Sequence, residues 1–79
     1  MKTMFFAEEG IISPYQALED LLFGDVIRVK DLEWNEVSIS PKEGKYELEC
    51  SNCKESIWLA DPVDAIESAI YHLSCHPVF

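Results

Sequence analysis

Positive charge is scarce in this 79-residue chain: six Lys and Arg stand against fifteen Asp and Glu, for a formal net charge of −9. Nucleic-acid affinity rests largely on Lys and Arg displacing counterions from phosphate, so a general phosphate-binding role is disfavoured. No apolar run nears the roughly 20 residues that span a bilayer, and no membrane partner is expected. The apolar stretch within the first nine residues is too short for the h-region of a secretion signal. Cysteines number three, an odd count that fits a reducing compartment better than a disulfide framework. A cytoplasmic, intracellular location is the expectation. Glycines are also three, and none sits in a Gly-rich phosphate loop. No catalytic set can be assembled from the carboxylates, and the histidines have another use.

What is present is a quartet: Cys50, Cys53, His72 and His76, spaced C-x2-C-x18-H-x3-H. Cys50 and Cys53 are spaced for a tight knuckle. His72 and His76 lie i, i+4 and share a face if their segment is helical. Four nitrogen and sulfur donors are what a tetrahedral structural zinc takes, leaving no open position for a substrate. The reading is therefore structural Zn²⁺ and no enzyme. A staple of this kind suits the size of the chain, because a small core alone supplies only about 3–5 kcal/mol. Structural zinc contributes about 10–16 kcal/mol in finger peptides, most of it as folding energy. Two blander readings stand beside it: an accidental Cys-x-x-Cys with two surface histidines, and a redox pair, which would need the motif to open a helix. Cys75 is an alternative fourth ligand to His76, or else a small buried core residue.

The rest of the chain reads as a small α+β domain over 1–79, with an α+β part over 1–44 and a finger-like part over 45–79. A short strand is expected over 3–7 and a turn over 8–10. Ser13 caps a helix over 14–23, with Pro14 in its first turn, Gln16 as reciprocal capping partner and Gly24 as its stop. Tyr15, Leu18, Leu21 and Leu22 recur at helical spacing. Leu21, Leu22 and Phe23 are read as core first; the alternative is that the helix itself is a binding element. Strands follow over 26–30, 34–40, 45–49 and 56–60, with turn chemistry at 41–44. A last helix opens at Asp61-Pro62, carries an apolar stripe of Val63, Ile66, Ile70 and Leu73, and ends at His76-Pro77.

Strand, knuckle, strand, helix and His-x3-His over residues 45–76 resemble the C2H2 zinc finger, a ββα unit. The matching positions are Cys50, Cys53, His72 and His76, and the resemblance covers about two-fifths of the chain. It implies a structural zinc held between a hairpin and a helix. The spacer of 18 residues exceeds the usual ~12, which places the histidines about one helical turn later. That departure bears on the DNA-reading geometry rather than on the metal. Asp61, Asp64 and Glu67 occupy the helix positions that would meet a major groove, and no Lys or Arg follows Lys54. Sequence-specific DNA binding is accordingly disfavoured.

The function expected from these features is a non-enzymatic, acidic, zinc-binding interaction module. Its partner would be a protein with a basic surface, such as RNA polymerase or another nucleic-acid-handling protein, and its role that of a small transcription regulator or inhibitor. Small virus-encoded host regulators have this general character. Two alternatives are a nucleic-acid-mimicking inhibitor of a DNA- or RNA-binding enzyme, and a nucleic-acid-binding finger that uses the Lys and Arg of the N-terminal strands.

Overall fold

The computed structural model describes residues 3–32, 35–51, 53 and 56–74. Their fold is mixed α+β. The strands are β1 (Met4–Ala7), β2 (Gly10–Ile12), β3 (Ile27–Lys30), β4 (Glu36–Lys42), β5 (Lys45–Cys50) and β6 (Ser56–Leu59). The helices are α1 (Pro14–Phe23) and α2 (Pro62–Ser74). All six strands join one antiparallel sheet in the order β2-β1-β3-β4-β5-β6. Both helices lie on one face of it and touch each other.

Alternation along the strands sorts side chains to the two faces. Phe5, Val29, Val37 and Cys50 align across the sheet in one row, and Ile27, Ile39, Leu48 and Ile57 in the next. Apart from Ile57, which is exposed, these rows meet Ala17 and Leu21 of α1 and Ala65, Ala69 and Leu73 of α2 in the core. The alanines let the helices sit low on the sheet. Val63 is consequently exposed, while Ile66 and Ile70 pack at the margin of the core. Of the three residues that close α1, only Leu21 is buried; Leu22 and Phe23 face solvent, as does Tyr15. The apolar content of α1 exceeds what its sheet-facing stripe can cover.

The expected helix boundaries hold for α1, and its caps explain why. The Ser13 hydroxyl accepts from the Gln16 amide at 3.1 Å. Gly24 takes φ 95°, and its amide and that of Asp25 close onto the carbonyls of Leu21 and Asp20. Gln16 departs from expectation. Its Nε2 donates forward to Asp20 Oδ1 at 2.8 Å, which turns the side chain along the helix and away from the Ser13 amide that a reciprocal cap would need. In α2, Asp61 Oδ1 accepts from the Val63 amide at 2.8 Å. The expected end of that helix at His76-Pro77 lies outside the described residues, as does Trp34.

Two further differences concern the sheet. Gly10, expected to close a turn over 8–10, instead opens the edge strand β2 (Gly10–Ile12), which follows β1 through a two-residue connection at Glu8 and Glu9. β4 runs on through Pro41 and Lys42, so the turn contracts to Glu43 and Gly44, at φ 49° and 79°. Two positive φ values in a two-residue hairpin loop are the type I′ signature. This turn falls at the 44/45 boundary between the two expected parts, and β4 pairs directly with β5 across it. β5, β6 and α2 follow one another in ββα order, but their hairpin belongs to the six-stranded sheet rather than standing alone.

Among the described residues, no helix covers the other sheet face. The register places Phe6, Arg28, Lys30, Glu36, Ser38, Ser40, Lys42, Lys45, Glu47, Glu49 and Trp58 on it. Lys30 Nζ lies 4.9 Å from the Phe6 ring centroid and 3.4 Å from Glu36. Every described Lys and Arg is on this face. In the sequence these cations alternate with acids and apolar residues, so their common side emerges only from the register.

Candidate metal centre

Cys50 is the last residue of β5 and pairs with Val37 of β4. Just beyond it, the Ser51 amide donates to the Glu36 carbonyl at 2.8 Å, and Ser51 Oγ accepts from the Glu36 amide at 3.2 Å. These bonds fix the chain as it leaves the sheet and hold the Cys50 side chain on the helix-covered face. Cys53 follows three residues on. His72 lies in the last turn of α2, three residues after the buried Ala69 and beside the buried Leu73, so it too looks toward the sheet.

The fold thus brings together donors from a strand end, a loop and a helix. One ligand atom each from Cys50, Cys53 and His72 lies within 4.8 Å of the others, and all three residues are half-buried. Cys53 Sγ is 3.5 Å from His72 Nε2. In a tetrahedral zinc site with ordinary Zn–S and Zn–N lengths, sulfur and nitrogen ligands stand about 3.6 Å apart and two sulfurs about 3.8 Å. The 3.5 Å edge therefore fits two ligands of one ion, and it also suits a thiol–imidazole hydrogen bond in metal-free protein. Cys50, Cys53 and His72 lie close enough to bind a metal ion. Val37, Leu48 and Ile57 surround Cys50 and His72 in a small cleft of about 90 Å³. An apolar shell of that kind limits water at a metal site.

The structure brings together three of the four residues expected from the sequence. His76, and its alternative Cys75, lie outside the described residues. A second polar cluster, not anticipated from the sequence, closes the β3–β4 connection. Asn35 donates from its amide and its Nδ2 to the two carboxylate oxygens of Asp31, each at 2.9 Å. The Asp31 amide returns to the Asn35 carbonyl at 3.1 Å. Both residues are buried. The signal available was the Asp-x3-Asn spacing, which carries no meaning until β3 and β4 are known to flank it. No helix among the described residues is long and apolar enough to cross a membrane.

Comparison of the chain with protein-family models, with curated proteins and with solved structures found no match.

Proposed function

We propose that this chain is a non-enzymatic protein-interaction module. In it a structural zinc, held by Cys50, Cys53, His72 and a fourth ligand, fixes the β5–β6–α2 end in a finger-like arrangement. The fourth ligand is His76, whose i, i+4 spacing from His72 suits a shared ion. A closed set of four protein donors leaves no position for substrate chemistry. Two thiolates offset the charge of the ion, so the surface remains strongly anionic. That −9 charge is the observation that carries the docking reading, since a field of that sign favours basic partners and repels phosphate. Basic surfaces abound on nucleic-acid machinery, and the partner we propose is RNA polymerase or a related intracellular factor whose access to DNA the module alters.

A second reading, direct nucleic-acid binding, draws on the shared face of Arg28, Lys30, Lys42 and Lys45 with Phe6 and Trp58. Against it, Glu36, Glu47 and Glu49 share that face, and Lys30 and Lys42 already form ion pairs with Glu36 and Glu47. The two readings separate by affinity capture from a host lysate with the zinc-loaded chain, followed by mass spectrometry at low and high salt. The expected outcome is retention of nucleic-acid-handling proteins that elute as salt rises. Retention of nucleic acid with no protein would overturn the docking reading.

A further inference from the structure

Three apolar residues at the C-terminal end of α1 have no place in the core. Phe23 is 82 % exposed, Leu22 64 % and Val26 51 %. Val26 lines a cleft of about 290 Å³ between that helix end and the β1–β2 turn, together with Ala7, Glu8, Glu9, Asp20, Gly24 and Asp25, and Phe23 directly precedes Gly24 in the chain. Four of the seven lining residues are carboxylates, and none is a cation.

The helix end itself adds negative potential. A helix C-terminus carries the negative end of the backbone dipole and is stabilised by Lys, Arg or His⁺ in its last turn. α1 has no basic residue there. Instead it places Asp20 in that turn and Asp25 just past the cap. Asp20 is only 8 % exposed and is held by a neutral donor, Gln16 Nε2, at 2.8 Å. A helix C-terminus with acids around it and no cation of its own favours a cation from outside.

The form of that cation follows from the spacing. No three of these carboxylates converge within 4.8 Å in the way that Cys50, Cys53 and His72 do, among the described residues. Compact coordination of a metal ion is therefore not what they offer. An ammonium or guanidinium on a long side chain can reach several separated carboxylates in turn. The apolar residues at the rim specify what carries it: a segment that sets aliphatic or aromatic side chains beside its Lys or Arg. We propose that this acidic cleft, with the exposed Phe23 and Val26 beside it, is the surface that docks a basic, apolar-containing segment of a partner protein. The inference rests on the docking reading above and assigns it a site, at the end of the molecule that does not hold the metal donors.

The test is an NMR titration of the zinc-loaded full chain. The probe is a synthetic peptide of alternating Lys and Leu; the controls are an all-Lys peptide and one of alternating Glu and Leu. Backbone signals of Gly10, Leu22, Phe23, Gly24 and Val26 are expected to move with the Lys-Leu peptide. Phe23→Ser should weaken binding by about tenfold or more, the scale of one buried aromatic, with the thermal midpoint unchanged because the residue is exposed. The pair Glu8→Lys and Glu9→Lys should weaken it as strongly. Equal binding of the all-Lys peptide would overturn the apolar rim. Shifts confined to the open sheet face, with affinity indifferent to Phe23→Ser, would overturn this surface and leave the docking reading standing. The same signals moving with protein concentration in the absence of peptide would assign the patch to a second copy and overturn the proposal. If no basic peptide or captured protein bound at all, the docking reading would fall as well.

Discussion

The two ends of the sheet are built on different principles. At the β1–β3–β4 end, Phe5, Ile27, Val29 and Ile39 are sealed beneath the helices, and apolar burial alone accounts for the order. At the β6 end no strand residue is fully buried; Ile57 and Trp58 are each 48 % exposed, and Leu59 is half-buried. There Cys50, Cys53 and His72, close enough to bind a metal ion, link the exit of β5 to the last turn of α2. On the zinc reading proposed above, the contrast teaches that a small domain can spend its limited apolar residues on one end and leave the other to a metal.

Removing the metal should expose this difference most strongly. With a chelator, or in Cys53→Ser, β6 and the last turn of α2 are expected to lose hydrogen-exchange protection, while β3 and β4 keep theirs. Native protein should contain about one zinc per chain. Equal loss of protection at both ends would show that the metal supports the whole fold and not one end. A smaller effect comes from truncating matched side chains in metal-loaded protein. Ile39→Ala should cost about 2–5 kcal/mol in urea unfolding, and Leu59→Ala about 1 kcal/mol, given its partial burial. Similar costs at the two sites would erase the distinction.

The smallest effect is electrostatic and lies at the hairpin tip that joins the ends. The Glu47 carboxylate, hydrogen-bonded to Lys42 Nζ at 2.9 Å and attracting it coulombically, holds the Lys42 pKa above its ordinary 10.5. A raised lysine pKa in the folded state contributes stability that is complete below the ordinary value and vanishes as pH climbs through the folded value. Glu47→Gln should therefore lower the midpoint of unfolding slightly at neutral pH, with the two proteins converging above pH 10.5. Lys42 is exposed, so the shift should be small and should shrink further in salt. A constant difference across the whole pH range would assign the effect to packing.

Much of this architecture was legible in the sequence where the signal is local. Ser13-Pro14 and Gly24 bound α1, Asp61-Pro62 starts α2, and alternation marks the four longer-range strands from β3 to β6. The knuckle and His72 were legible because ligand chemistry demands particular residue types at short spacing. What escaped depends on register or competition. β2 is a three-residue edge strand whose glycine argues for a turn, and only pairing with β1 makes it a strand. Leu22 and Phe23 look like core because an apolar run on a short helix has no way to announce which members the sheet will cover. Asp31 and Asn35 find each other only when β3 and β4 bring the ends of their connection together.

The uneven spread of charge between the two faces has a consequence for how the molecule travels. Arg28, Lys30, Lys42 and Lys45 share the uncovered side of the sheet with Glu36, Glu47 and Glu49 and leave it near neutral, while Glu19 and Asp20 on α1 and Asp64 and Glu67 on α2 have no described Lys or Arg on either helix. Such a body carries a permanent electric moment across its thickness in addition to its net charge. In the field of a large cationic object it would be turned during diffusion, helices leading, before any side chain touched. Productive encounters would then be a larger fraction of collisions at low ionic strength than at high.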